Sequence, residues 1–254
     1  MATLYCLPSD ILTYAAAWSR VSGANVVAAF PFANQNDVRI DLVTKFDGTA
    51  VKVRGTIAST AIQAAAIFNS NGRGLNIAVT NNNSMASQNL PISTTFPAGS
   101  PGIHGWKDLR TVTTAATQWD FDFPTHQTNV TFGKIYLIGT LRTMPLRWSV
   151  RMREIRKTRV QRTGAGVPLG GKKHVRWREL TAKLSRESAR GDYTTLRRAS
   201  AGPLEPFFFV LEEGVNDPMP VWFPQEDWTH NRETPLRTEW TDLLEELSSG
   251  NPLS

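Results

Sequence analysis

One cysteine, four histidines and no apolar run approaching the roughly 18 residues that span a bilayer leave several functional classes without material in this 254-residue chain. Cys6 has no second thiol, which excludes an intrachain disulfide and a thiolate metal cage. His104, His126, His174 and His230 do not carry the i, i+4 spacing of a zinc helix, so no metal site and no cofactor are expected. No serine stands in a Gly-x-Ser-x-Gly turn and Cys6 has no base beside it in sequence, so covalent catalysis lacks a nucleophile. The glycines at 164, 166, 170 and 171 are not followed by the Gly-Lys-Ser/Thr of a phosphate-cradling loop. The chain is therefore read as non-enzymatic. Its first residues lack a basic leader followed by an apolar core, and a protein made in the cytoplasm without membrane insertion is expected.

What is present favours β-structure. Up to about residue 143 the chain is rich in Asn, Thr, Ser, Gly and β-branched residues, a composition of strands joined by polar turns. Residues 38–43 and 51–57 alternate polar and apolar positions as half-buried strands do. Residues 62–68 and 75–79 are apolar and flank Asn69-Ser-Asn-Gly-Arg-Gly, which reads as a hairpin connection. Residues 119–123 and 134–139 continue the series. Asp120 and Asp122 flank Phe121, so a strand turns both carboxylates to one side; this is a solvated face opposite Trp119, Phe121 and Phe123 rather than a calcium cage, for which two ligands are too few. Residues 81–105, with an Asn run and three prolines, read as one long surface loop of the kind that often binds something. Trp106 lies beside it and is the candidate ring for stacking on a sugar.

Charge is sorted along the chain. Residues 143–200 hold 16 Lys+Arg against 4 Asp+Glu, whereas residues 201–254 hold 2 against 11. After Pro145 the composition shifts, which sets the domain boundary between 1–143 and 144–254. Segments on either side of a glycine-rich turn alternate basic and apolar residues, so residues 148–184 read as a long hairpin with arginine along it. Residues 192–200 carry Asp near the start and arginines near the end of a short helix. Residues 206–213 read as a buried strand. Trp240, Leu243, Leu244 and Leu247 stand at helical spacing in the acidic segment 205–247, predicting a short amphipathic helix.

Sixteen cations with Trp148 and Trp177 among them also suit nucleic acid. That partner is not expected, because none of the helix-based motifs is present and the same chain carries an opposing acidic block. Arg151, Arg153, Arg156, Arg159, Arg176 and Arg178, with Trp240 and Leu244, are instead the candidate protein-interface residues, since arginine suits interface ion pairs.

The order of segments resembles a known family. Val38-Arg-Ile-Asp-Leu-Val, Thr49-Ala-Val-Lys-Val-Arg, Trp106-Lys-Asp-Leu-Arg, Trp119-Asp-Phe-Asp-Phe and Gly133-Lys-Ile-Tyr-Leu-Ile-Gly resemble a galactose-binding-like, discoidin-type jelly roll as found in phage tail proteins. The arginine-rich hairpin, the Asp192-Tyr-Thr-Thr-Leu helix and the Phe-Phe-Phe strand look like the ring-forming part of distal-tail proteins. The resemblance implies a mainly β chain: an N-terminal jelly-roll β-sandwich plus a C-terminal β domain with a long hairpin and one or two short helices. It further implies a structural component of a phage virion, at the tail tip or baseplate, whose partners are copies of itself and neighbouring tail proteins. The alternative it leaves open is a carbohydrate-binding module for host adsorption.

Overall fold

The structure, a computed structural model, describes residues 3–37, 42–92, 103–144, 195–196, 198–200 and 207–210. It adds the backbone of residues 151–158, 161–162, 168–169, 174–184, 218–222, 229–234 and 237–246. The chain is mainly β. In order run β1 (Thr3–Tyr5), β2 (Ala17–Gly23), β3 (Thr44–Lys45), β4 (Val51–Thr60), β5 (Ala64–Ser70), β6 (Asn76–Asn81), β7 (Gln88–Pro91), β8 (Ile103–Asp108), β9 (Ala116–Phe123), β10 (Thr131–Phe132), β11 (Lys134–Ile138) and β12 (Arg142–Met144). They are followed by β13 (Arg151–Thr158), β14 (Gln161–Arg162), β15 (Pro168–Leu169), β16 (His174–Leu184), β17 (Phe207–Val210), β18 (Pro218–Trp222), β19 (Thr229–Thr234) and β20 (Arg237–Glu246).

Three antiparallel sheets carry the architecture. A five-stranded sheet in the order β2-β4-β9-β6-β7 faces a three-stranded sheet, β11-β5-β8. Between them lies the main core, in which Val51, Val53, Ile77, Val79, Trp119, Phe121 and Phe123 meet Ala65, Ile67, Ile135 and Leu137. The other face of β5 and β11 is buried as well. Ala64, Ala66, Phe68, Tyr136 and Ile138 pack with Leu4, Phe208 and Val210 from the third sheet, in which β1, β12, β17, β18, β20, β16, β13 and β19 take part. Residues of odd and even number on β5 and β11 thus serve two different cores, as the two-residue period of a strand requires. This is why neither strand alternates and every position on both is buried.

The double burial overturns the expected hairpin across residues 69–74. β5 pairs with β11 and β8, whereas β6 pairs with β9 and β7, so the turn carries the chain from one sheet to the other. Asn69 at φ 59 and Gly74 at φ 74 give it the left-handed backbone that such a crossing uses. The long loop expected over residues 81–105 is also interrupted, by β7 and by the start of β8; residues 93–102 lie outside the described residues. Gly105 allows β8 to approach β7 at that place, because a Cβ there would stand 2.3 Å from the Pro91 carbonyl oxygen. Residues 38–41 of the expected strand 38–43 also lie outside the described residues, and pairing begins at Thr44.

The far edge of β11 is closed by side chains. Thr13 and Gln35 are fully buried on two short 3-10 helices, Leu12–Ala15 and Phe32–Asn36. The Leu137 N–H donates to Thr13 Oγ1 at 2.8 Å and the Thr13 hydroxyl donates to the Ile135 carbonyl at 2.8 Å. The Ile135 N–H donates to Gln35 Oε1 at 2.9 Å, and Gln35 Nε2 donates to the Gly133 carbonyl at 2.7 Å. Two polar side chains thereby stand in for a neighbouring strand and leave the buried backbone satisfied. Nearby, burial pushes Tyr14 up to about 12, while its hydroxyl lies 2.9 Å from that of Tyr136.

The third sheet crosses the expected boundary at 143/144, because β1 and β12 pair with each other and β1 pairs with β17. The expected hairpin over residues 148–184 is present in its pairing of β13 with β16, extended by β14 and β15. Thr195, Leu196, Arg198 and Ala199 are helical, and the Ser200 N–H donates to the Leu196 carbonyl at 2.9 Å, within the helix expected over 192–200. The amphipathic helix expected around Trp240 and Leu244 is instead strand β20, paired with β16 and β19. A helix of about ten residues is marginal in water, whereas a strand between two partners satisfies its backbone on both sides. Trp240 and Leu244, four apart, share a face in either conformation.

The closure of β11 gives a direct test. Replacing Thr13 with Val, or Gln35 with Leu, strands buried backbone groups and lowers the unfolding free energy by about 1–3 kcal/mol each. Urea denaturation of the two variants measures it, and unchanged midpoints would mean that the edge is satisfied by other means.

Candidate functional site

Strand direction gathers several connections at one end of the sandwich. β2 ends at Gly23, opposite Val51 at the start of β4, and Val51 is opposite Phe123 at the end of β9. β5 ends at Ser70 opposite Ile103, and β11 begins at Lys134 opposite Phe68. The described residues of the connections between β2 and β4, β5 and β6, and β9 and β10 therefore meet. Backbone hydrogen bonds close the first, Ala24 N–H to the Ala50 carbonyl at 3.0 Å, and bind it to the third, His126 N–H to the Thr49 carbonyl at 2.8 Å and Val130 N–H to the Gly48 carbonyl at 2.9 Å.

Side chains complete the assembly. Asp47 is exposed and accepts from the Asn25 N–H at 2.7 Å. The Thr128 N–H donates to His126 Nδ1 at 3.1 Å, which leaves the half-buried imidazole fixed by its own loop. Asn71 Nδ2 donates to Thr128 Oγ1 at 3.0 Å and to the Asn129 carbonyl at 2.7 Å. At the rim, Phe30 is 37% exposed, with Lys45 Nζ 5.7 Å from its ring centroid. The end thus presents amides, a carboxylate, an imidazole, an ammonium group and one accessible aromatic ring on loops held by a rigid double sheet. This is the usual division of labour between scaffold and binding surface. Among the described residues no group of three or more His, Cys, Asp or Glu side chains converges to hold a metal ion.

The residues singled out in the sequence fall elsewhere. Trp106 is on β8, 6% exposed, and its ring packs against Phe208 at 5.9 Å between centroids; the expected stacking ring is therefore a core side chain between the second and third sheets. Asp120 and Asp122 occupy the outer face of β9 as expected, but Asp120 is buried by its partners. Arg54 grips it with Nε at 2.6 Å and a second nitrogen at 2.8 Å, and Lys52 stands 3.5 Å away. That bidentate bond holds the Arg54 pKa above its ordinary value. His104 is buried and its Nδ1 accepts from the Asn69 N–H at 3.2 Å. Burial pushes the Cys6 thiol up, which suits an inert core residue and not a nucleophile.

Arg151, Arg153 and Arg156 are on β13, Arg176 and Arg178 on β16, and Trp240 and Leu244 on β20, so these three strands of one sheet carry all the interface candidates except Arg159, which lies outside the described residues. The register sets Arg153 opposite Glu179 and Glu179 opposite Glu245, and sets Glu154 opposite Arg178. The basic and acidic blocks are neighbours within one chain. Phe30, Asp47 and Asn71 escape sequence reading because each sits in a turn whose composition signals only a turn, and Lys45 because it lies on the two-residue strand β3; the Asp47-Gly48 and Asn71-Gly72 pairs mark the bends without naming their end of the fold.

No protein-family model matches the chain, and no curated protein does. Among solved structures, SpGH29 aligns at TM-score 0.39 and 14% identity, over 53% of this chain and 29% of that one. The lectin domain of lectinolysin, complexed with Lewis B antigen, aligns at TM-score 0.38 and 14% identity, over 50% of this chain and 96% of that one. CpGH89CBM32-6 of Clostridium perfringens aligns at TM-score 0.32 and 11% identity, over 49% and 94%. At these scores the likenesses carry neither a family nor a function to this chain. No helix among the described residues is long and apolar enough to cross a membrane.

The placement of Trp106 predicts a stability effect. Trp106→Ala should cost about 3–5 kcal/mol of folding free energy, as for a large core side chain. Thermal unfolding checks it; a variant as stable as the parent would return the ring to the surface.

Proposed function

We propose that the chain is a non-catalytic binding protein whose sandwich holds a carbohydrate at its loop end. The observation that carries this reading is the exposed face of Phe30 beside Lys45 and the Asn25–Asp47 pair. A pyranose offers an apolar C–H face and a ring of hydroxyls. An aromatic ring takes the first, and carboxylate, amide and ammonium groups take the second in either donor sense. The rigid sheet beneath lowers the ordering cost of binding. A glycan array identifies the ligand, and Phe30→Ala, with its fold verified by circular dichroism, should weaken that binding roughly tenfold or more, which is about 1.4 kcal/mol. Silence across the array, or full binding by the variant, would remove this reading.

A second reading is a structural subunit of a phage tail tip or baseplate, made in the host cytoplasm and assembled with copies of itself and neighbouring tail proteins. It is supported by β13, the arginine-rich strand at one end of the third sheet's order, because an edge strand offers unpaired backbone groups to a partner. Its cations then keep the edge from pairing indiscriminately and select an acidic partner surface. Reversing Arg151, Arg153 and Arg156 to Glu should abolish assembly seen by sedimentation at low salt while the sandwich stays folded. Assembly that survives the triple change would make the arginines a solvated edge.

A further inference from the structure

The turn that carries the chain between the two sandwich sheets contains the only Asn-Gly pair in the sequence, Asn71-Gly72. Asn71 is a clasp. Its Nδ2 donates to Thr128 Oγ1 and to the Asn129 carbonyl, its Oδ1 accepts from the Thr131 N–H at 3.0 Å, and its own N–H donates to the Thr131 carbonyl at 3.0 Å. Four hydrogen bonds thus tie the 69–74 turn to the 124–130 loop and to β10. The following residue is restrained as well: Gly72 is buried and its N–H donates to Ser70 Oγ at 3.0 Å.

Asparagine before glycine is the pair most open to ring closure, because glycine has no Cβ to hinder its own nitrogen. The Gly72 nitrogen gives up its proton to water and attacks Asn71 Cγ. The bond from Cγ to Nδ2 breaks and ammonia leaves. Water then opens the cyclic imide at either carbonyl, yielding aspartate or isoaspartate, with no oxidant or reductant. In this fold both reacting groups are engaged, the nitrogen with Ser70 and the amide with Thr128, Asn129 and Thr131. We propose that Asn71 is a latent deamidation site held off by these hydrogen bonds, and that its conversion unclasps the 124–130 loop. The product carboxylate has no N–H to offer the Asn129 carbonyl, and two acceptors face each other where a donor and an acceptor stood. The inference does not depend on what the loop end binds.

Full-length protein aged in mildly alkaline buffer tests it, with peptide mapping to follow aspartate and isoaspartate at position 71. In the native state conversion should be at least roughly tenfold slower than in urea, the ratio expected if a hydrogen bond or more must open first. Ser70→Ala and Thr128→Ala, each removing one restraint, should both speed it, and Asn71→Gln should abolish it. In Asn71→Asp, hydrogen exchange should quicken at the 125–130 amides and stay unchanged at the Phe121 amide of β9. Equal rates in the native and urea-unfolded states would overturn the protection. Unchanged loop exchange in Asn71→Asp, or in aged wild-type protein should that variant fail to fold, would overturn the clasp.

Discussion

β5 and β11 of the middle sheet have no solvent face, and the rest of the molecule is arranged around that constraint. Every residue of β5 and of β11 is buried. Such strands are stable only when a layer covers each side, since burying a large apolar side chain contributes about 1.5–3 kcal/mol and exposing it forfeits that. The five-stranded sheet covers one side. The other is covered by Leu4, Phe208 and Val210, which belong to strands from opposite ends of the described chain. The contact of Phe68 and Trp106 with Phe208 therefore couples the sandwich to the third sheet. A strand that must serve two cores also needs its backbone completed at both edges. β8 completes one edge of this sheet, and Thr13 with Gln35 completes the other, where no regular strand among the described residues pairs with β11.

This constraint explains what could be read in advance. Alternation along residues 51–57 and 119–123 marks strands with one wet face, and both are where the pattern puts them. Apolar runs such as 64–68 and 135–138 announce burial but not the number of layers, so they do not name their partners. A turn rich in Asn and Gly reads as a hairpin between neighbours, yet Asn69 and Gly74 serve a crossing between sheets equally well. Thr13 and Gln35 were illegible because a threonine and a glutamine carry no signal that they will imitate a strand. Trp106 misled for a related reason: a lone tryptophan beside Asn- and Pro-rich sequence has the look of a binding ring, but on β8 it points into the second core. The loop end, by contrast, emerges only from register, which brings together residues as far apart in sequence as Asn25, Asn71 and His126.

The charge blocks show how topology changes the meaning of composition. Divided along the chain they suggest a basic surface seeking an acidic partner. In the sheet, β20 from the acidic segment lies against β16 from the basic one over Glu179–Leu184, and the register runs Arg153, Glu179, Glu245 across three strands. The two Glu positions are themselves adjacent on β16 and β20, which would be unfavourable unsupported. The register places Arg153 of β13 opposite Glu179 in the same row. Topology thus sets the two blocks side by side in one sheet, the one charged pair directly opposite across β16 and β20 being Glu179 with Glu245, and the cationic surplus stays with the hairpin. By the same register the surplus is greatest at β13, where the basic hairpin forms the edge and acidic β20 lies one strand further in. Any association driven by charge should begin along that edge and weaken as salt screens it.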